Sequence, residues 1–389
     1  MIYQISILGS TGSIGKTLIK ILLKEKKNFK VSLLTADKNY KTILNQARKL
    51  NTKNIIISDK KSYQKALKFN KAKKIKIYNN YDNLKKIFIN KNDYIMSSIS
   101  GINGLYPTLK VIKYTKSIAI ANKESIICGW NLIKRKLKIN NTKFIPVDSE
   151  HFSIWYAIKN NRNKIKKIFL TASGGPFINL PLNEFKKIKI KQALKHPNWK
   201  MGKKISIDSA TLMNKIFELI EAKKIFNLDI NKFKIIIHPK SYVHAIVHFN
   251  NGLVKFLAHE TNMSIPIMNS LYENKAFQYN NKSLNISKLN NLNFSKPNKK
   301  KFPVIKLINM LSKKNTYFET ILITINDYLV HKYLNGEINY KSLNFGLIKL
   351  IKSRYFTRYY KFGPKNITDI KIMVKRVTTY LNKIKLNEY

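Results

Sequence analysis

The stretch that decides the fold is Ile5-Ser6-Ile7-Leu8-Gly9-Ser10-Thr11-Gly12-Ser13-Ile14-Gly15, followed by a lysine-spaced apolar segment over 16–24. A short apolar run, a glycine-rich turn and a helical period in that order are what a dinucleotide-binding βα turn requires. Gly9 permits the tight turn, Gly12 lets backbone approach a pyrophosphate, and Gly15 lets the helix pack closely on the sheet. The unpaired N–H groups at the helix start then face the phosphate. Outward from this turn the rhythm repeats. Residues 31–34, 55–57, 75–78, 94–96, 117–120 and 144–147 read as further strands, with helical stretches such as 42–50 between them. This alternation predicts a parallel, doubly wound α/β sheet over residues 1–147.

From Asp148 the pattern changes. Gly174-Gly175-Pro176 and His196-Pro197-Asn198 mark loops. A helix is expected over 210–222 with Asp208 or Ser209 as its N-cap. Strands are expected over 243–249 and 253–257, joined at Asn250-Asn251-Gly252. Residues 276–303, rich in Asn, Lys and Ser, read as a linker. Beyond them Phe318, Ile321, Leu322, Ile325, Leu329 and Tyr333 fall on one helical face. The organisation expected is a domain over 1–147, a catalytic domain over 148–275, the linker, and a helical domain over 304–389.

The 389 residues carry 74 Lys and Arg against 20 Asp and Glu, a net charge of +54. Such a charge raises nucleic acid as a partner. The lysines, however, are spread along the whole chain, and Lys, Asn, Ile, Tyr and Phe are abundant together, as AT-rich codons would produce. No nucleic-acid-binding motif accompanies them, so no nucleic-acid partner is expected. No apolar run is long enough to span a bilayer, and no secretory signal is expected at the start. The one cysteine, Cys128, reads as a buried packing residue in a reducing, cytoplasmic compartment.

Three groups of residues suggest chemistry. Asp37-Lys38-Asn39 ends the second strand: Asp37 suits a ribose 2′-hydroxyl and NAD, Lys38 suits a 2′-phosphate and NADP, and both readings stand. Asp148-Ser149-Glu150 brings two carboxylates to one face of an extended chain. Glu218 supplies a third from a helix that also carries Asn214 and Lys215, and such oxygen donors suit Mg²⁺ or Mn²⁺. Ser173-Gly174-Gly175 and Ser209 offer hydroxyls and amides to a phosphate, to which His196 and Lys215 add charge. Trp199 and Met201, after His196-Pro197-Asn198, suit a lid. His238, His244 and His248 lack metal-ligand spacing and read as structural.

These pieces occur in one order: the glycine turn, Asn122-Lys123-Glu124, Pro146-Val147-Asp148-Ser149-Glu150-His151, Thr171-Ala172-Ser173-Gly174-Gly175-Pro176-Phe177, His196-Pro197-Asn198-Trp199-Lys200-Met201-Gly202 and Ser206-Ile207-Asp208-Ser209-Ala210-Thr211-Leu212-Met213-Asn214-Lys215. The ordered set resembles the 1-deoxy-D-xylulose 5-phosphate reductoisomerase family across the chain. The resemblance implies a homodimer with a Rossmann-like NADPH domain, a central α+β catalytic domain and a C-terminal helical bundle. It implies a cytoplasmic enzyme that rearranges and reduces 1-deoxy-D-xylulose 5-phosphate to 2-C-methyl-D-erythritol 4-phosphate in the non-mevalonate isoprenoid pathway. It assigns NADPH to Thr11, Gly12, Ser13, Ile14, Lys38, Asn39, Asn122, Glu124 and Gly202. It assigns Mg²⁺ or Mn²⁺ to Asp148, Glu150 and Glu218. Substrate falls to Lys123, Ser149, Glu150, Ser173, His196, Ser209, Asn214, Lys215 and Glu218, with Lys123, Glu150 and His196 in catalytic roles and Trp199 and Met201 in a flap. The family commonly carries glycine where this chain has Asp37, and a carboxylate there repels a 2′-phosphate unless Lys38 offsets it.

Overall fold

The computed structural model describes residues 2–70, 74–273, 276–279, 286–312 and 314–384. They form two compact units, Met1–Asp148 with Met263–Tyr279, and Ser149–Asn262 with Asn280–Tyr389.

The first unit is built on a seven-stranded parallel sheet in the order β4-β3-β2-β1-β5-β6-β7. The strands are β1 (Tyr3–Leu8), β2 (Phe29–Ala36), β3 (Asn54–Ile57), β4 (Lys76–Tyr78), β5 (Asn92–Ser97), β6 (Thr115–Ile120) and β7 (Lys143–Pro146). Helices cover both faces of a parallel sheet, so central strands are apolar on both sides. Ile5, Ile7, Leu8 and Ile55 through Ile57 are accordingly fully buried. Lys76 and Lys143 stand exposed on the edge strands. The strand order reverses at β1, which pairs with β2 on one side and β5 on the other. The crevice beyond the carboxyl ends of such a pair is where open α/β sheets bind ligands.

The second unit holds a mixed sheet in the order β11-β10-β8-β9, from β8 (Ile165–Ala172), β9 (Phe233–Ile237), β10 (Val243–Phe249) and β11 (Val254–Ala258). The turn at Asn250-Asn251-Gly252 joins β10 to β11 as expected, with Gly252 at φ +87°. Helices follow. Tyr317–Leu334 opens on a capping box in which Thr316 and Glu319 satisfy each other's backbone. The six apolar residues read from its periodicity are all 1% exposed or less. It packs against Tyr340–Ile351 and Ile367–Leu381. Of the linker expected over 276–303, residues 280–285 lie outside the described residues. Ile286–Leu289 is a short helix, and Ser295 pairs with Ile237 at the end of β9.

Two local expectations fail. Asp208 and Ser209 do not cap a helix over 210–222; they lie inside a helix over Lys203–Ala210. The next helix, Met213–Phe226, starts after Leu212, which sits at φ +65°. The kink is held from elsewhere in the unit: Tyr340 Oη donates to Ala210 O at 2.6 Å and Asn326 Nδ2 to Asp208 Oδ1 at 2.7 Å. Nor is Asp148-Ser149-Glu150 extended. Ser149 and Glu150 form the first turn of the Ser149–Ile158 helix, because the start of a helix rather than strand continuation follows β7. Among the described residues no helix is long and apolar enough to cross a membrane.

Candidate active site

In the first unit, the glycine turn leaves β1 at the point of strand reversal. Gly9 has φ +79°, and a Cβ there would meet Ser98 O at 2.9 Å. A Cβ on Gly15 would meet Gly9 O at 2.4 Å and Ser10 Cα at 2.6 Å, so the Ser13–Lys24 helix lies directly on the turn. Gly12 caps that helix with no side-chain hydrogen bond. Thr11 and Ile14 are half-buried and Ser13 is exposed. Thr35 and Gln46 fix the turn. Gly9 N–H donates to Thr35 Oγ1 at 3.0 Å and Ser10 N–H to Thr35 O at 2.9 Å, while Ser10 Oγ donates to Gln46 Oε1 at 2.8 Å and Gln46 Nε2 to Ser10 O at 3.0 Å. Sequence reading missed both. Gln46 had a signal, since it is a polar residue on the apolar face formed by Ile43, Leu44 and Ala47.

Asp37, Lys38 and Asn39 are exposed at the end of β2. Asn122 caps the Lys123–Ile139 helix, accepting from Ser125 N–H at 2.5 Å, and its amide also donates to Ile99 O and to Gly101 O at 2.7 Å. Its side chain therefore serves the loop after β5, and its backbone is what remains for a ligand. Glu124 is half-buried one residue into that helix. Lys123 Nζ meets Asp148 Oδ2 at 2.5 Å.

Asp148 is bonded directly to Ser149. Oxygens of Asp148, Glu150 and Glu218 all lie within 4.8 Å of one another. In the second unit, Lys215 is only 4% exposed. Its Nζ donates to Glu150 Oε1 at 2.6 Å and pairs with Glu218 Oε2. Burial pushes its ammonium toward neutrality, but the two carboxylates outweigh that and hold its pKa above the usual lysine value. Asn214 Nδ2 donates to Glu218 Oε1 at 2.5 Å, and Ser149 Oγ to Glu150 Oε2 at 2.6 Å. Behind Glu218 lies a pair that sequence reading missed. His151 Nε2 is 2.8 Å from Glu218 O, and its Nδ1 is 3.5 Å from Glu221 Oε2, with both side chains buried. The signal was a second acid one helical turn beyond Glu218.

His196 is half-buried. Its Nδ1 accepts from Asn198 N–H at 3.1 Å and Trp199 N–H at 3.0 Å. The neutral ring thus carries its proton on Nε2, 3.0 Å from Ser173 Oγ, which also accepts from Gly175 N–H at 3.1 Å. Burial, and then the Lys215 charge, push the His196 pKa down to about 4 against the opposing pull of Glu150. A Cβ on Gly175 would meet Ser209 O at 3.0 Å, so this turn lies against the end of the Lys203–Ala210 helix. Ser173, His196, Ser209, Asn214 and Lys215 are thus carried on segments of one unit. Trp199 is half-buried with its edge toward His244, 5.9 Å between centroids. Asn198 Nδ2 donates to Pro239 O and Ser241 Oγ. Met201 is half-buried and Gly202 exposed. His238 and His244 are buried, and His244 stacks on His259 at 3.8 Å.

Family models match the chain over three segments: 1-deoxy-D-xylulose 5-phosphate reductoisomerase over residues 5–129, its C-terminal domain over 144–226, and the DXP reductoisomerase C-terminal domain over 259–376. The 1-deoxy-D-xylulose 5-phosphate reductoisomerase of Pelagibacter ubique is 55% identical over 94% of this chain and 95% of its own. That of a Wolbachia of Drosophila simulans is 40% identical over 87% of each. Among solved structures, the reductoisomerase of Zymomonas mobilis in complex with NADPH has a TM-score of 0.87 at 29% identity over 97% of each chain. A DOX-P reductoisomerase in complex with NADPH, fosmidomycin and magnesium has 0.89, also at 29% over 97% of each. The chain belongs to the 1-deoxy-D-xylulose 5-phosphate reductoisomerase family.

Proposed function

We propose that this chain converts 1-deoxy-D-xylulose 5-phosphate to 2-C-methyl-D-erythritol 4-phosphate, using NADPH and Mg²⁺ or Mn²⁺, in the non-mevalonate route to isoprenoid precursors. The observation that carries the reading is the group Asp148, Glu150 and Glu218, three hard oxygen donors within 4.8 Å. The donor set fits a small divalent cation, and the Lys215 ammonium already neutralises two of its members. The glycine turn fits a dinucleotide, because Gly9 and Gly15 leave the backbone bare where a Cβ would clash.

When bound, the metal supplies Lewis-acid polarisation of the substrate oxygens and NADPH supplies hydride. The chain's residues do the rest. Thr11, Gly12, Ser13 and Ile14 receive the pyrophosphate, Lys38 and Asn39 the adenosine end, and Asn122, Glu124 and Gly202 the remaining coenzyme contacts. Ser173, Ser209, Asn214, Lys215 and neutral His196 hold the phosphate. In that role the His196 Nε2–H backs Ser173 Oγ, which accepts from it and from Gly175 N–H and so has its own proton to give to the phosphate. Binding at this end, remote from the bonds that change, supplies energy to orient the reacting carbons. Ser149 steadies Glu150, which takes and returns the hydroxyl proton as the carbon skeleton rearranges, and Lys123 faces the developing oxyanion. Trp199 and Met201 close over the substrate and exclude water.

The protein acts as a homodimer. Val254 and Phe256 are 45% and 52% exposed on β11, the edge of the second sheet, and Leu253 just before it is 59% exposed. An apolar edge strand of this kind is a pairing surface. The one cysteine of the sequence, Cys128, is buried, which fits a reducing cytoplasm. The deciding experiment follows NADPH absorbance with 1-deoxy-D-xylulose 5-phosphate and Mn²⁺. Substrate-dependent oxidation is expected, and Asp148→Asn should weaken it together with its metal dependence. Oxidation without substrate, or full activity in that variant, would overturn the assignment.

A further inference from the structure

The parallel register of β2 and β3 pairs Ala36 with Ile57. The next residues, Asp37 and Ser58, therefore leave the sheet side by side, and Ser58 Oγ donates to Asp37 Oδ1 at 2.7 Å. Both are exposed. Asp37 lies two residues beyond Thr35, whose backbone and hydroxyl hold the glycine turn. A dinucleotide seated on that turn brings its adenosine ribose to the end of the second strand, where a carboxylate ordinarily accepts from the 2′-hydroxyl. A 2′-phosphate carries about two negative charges there, and a free carboxylate repels it. The other charged groups near this strand end include Lys38, Lys61 and Asp59. The Asp59 carboxyl is held low by hydrogen bonds from Ser62 and, less strongly, by the charge of Lys38. Lys38 thus faces more than one anion, and the disposition of Asp37 decides the balance.

We propose that Ser58 is a specificity-determining residue that holds the Asp37 carboxylate against β3, off the adenosine 2′ position, and so lets the chain take NADPH. Ser58 acts on the coenzyme through Asp37. The inference rests on the reading of the glycine turn as the coenzyme site and adds how that site selects its coenzyme.

The test is a double-mutant cycle read by equilibrium titration of NADPH and of NADH, followed by nicotinamide fluorescence without substrate. Both positions are exposed, so the variants retain the fold. Ser58→Ala should lower the ratio of NADPH to NADH affinity about fivefold, the worth of one hydrogen bond. Asp37→Asn, which keeps the shape and removes the charge, should raise that ratio on the order of tenfold. In the Asp37→Asn background, Ser58→Ala should change nothing further. An unchanged ratio in Ser58→Ala, or an equal change in both backgrounds, overturns the inference while leaving the coenzyme site intact. Binding of neither coenzyme by the unmodified chain overturns the site and the inference together.

Discussion

Replacing Lys215 by methionine keeps most of the side chain's volume and removes its charge. In the unmodified chain the Nζ of Lys215 lies 2.6 Å from Glu150 Oε1 and pairs also with Glu218, in a position 4% exposed. Without it two largely buried carboxylates lose their counter-ion. Removing one partner of a buried pair costs about 3–5 kcal/mol. For a folding unit of this size each kcal/mol lowers the melting temperature by about 2–4 °C, so in EDTA the variant should melt about 6–20 °C lower. A divalent cation restores positive charge to the same oxygens without competing against the ammonium. Mn²⁺ should therefore raise the melting temperature of Lys215→Met more than that of the unmodified chain; cation at a hundredfold excess over its dissociation constant contributes about 2.7 kcal/mol. Lys224→Met is the control, since Lys224 pairs with Glu319 at 3.4 Å and lies outside the carboxylate group. It should lose stability with no added response to Mn²⁺. Thermal unfolding of the three proteins, titrated with Mn²⁺ from an EDTA baseline, reads the effect directly. An equal Mn²⁺ response in all three would refute the argument that lysine and metal share these carboxylates.

The remaining predictions concern the histidine, the turn and the edge strand. His196 folds with its pKa lowered to about 4 from 6.5. Between those values the unfolded chain binds a proton the folded chain does not. The contribution to stability is thus full above pH 6.5 and is lost as pH falls toward 4. His196→Asn should flatten the fall of the urea midpoint across that window, and an unchanged slope would count against a neutral ring. Gly15→Ala forces a methyl within 2.4 Å of Gly9 O and should cost about 1–3 kcal/mol and most of the NADPH affinity. Gly12→Ala, whose nearest neighbour is at 3.4 Å, should be milder; equal NADPH titrations for the two would remove the turn from the coenzyme site. Phe256→Lys on β11 should shift sedimentation from dimer to monomer, and an unshifted boundary would place the dimer contact elsewhere.

How much of this was legible beforehand depends on the range over which each feature is encoded. The strands of the first sheet were readable because parallel strands are buried on both faces, so each appears as an apolar run between polar helices. The Lys203–Ala210 and Met213–Phe226 helices read as one different helix because nothing local forbids continuity at Thr211 and Leu212. A leucine at φ +65° is a tertiary product, here held through Tyr340 and Asn326, more than a hundred residues away. The carboxylate group was found for a wrong local reason. Strand alternation was to bring Asp148 and Glu150 together, whereas the chain turns into a helix between them. The meeting of Glu150 with Glu218 depends on packing across the second unit, and the clue that survived was only that Asn214, Lys215 and Glu218 share a helical face. Asp37 and Ser58 lie between these cases. Asp37 announced itself as a charge where a coenzyme phosphate was expected, but its meaning depends on a hydroxyl 21 residues on. That distance is one βαβ crossover, and sheet register alone, Ala36 beside Ile57, brings the two together. In a doubly wound sheet, then, a residue just past one strand is read correctly only together with the residue just past its neighbour. The pair to inspect follows from register before any side chain is seen.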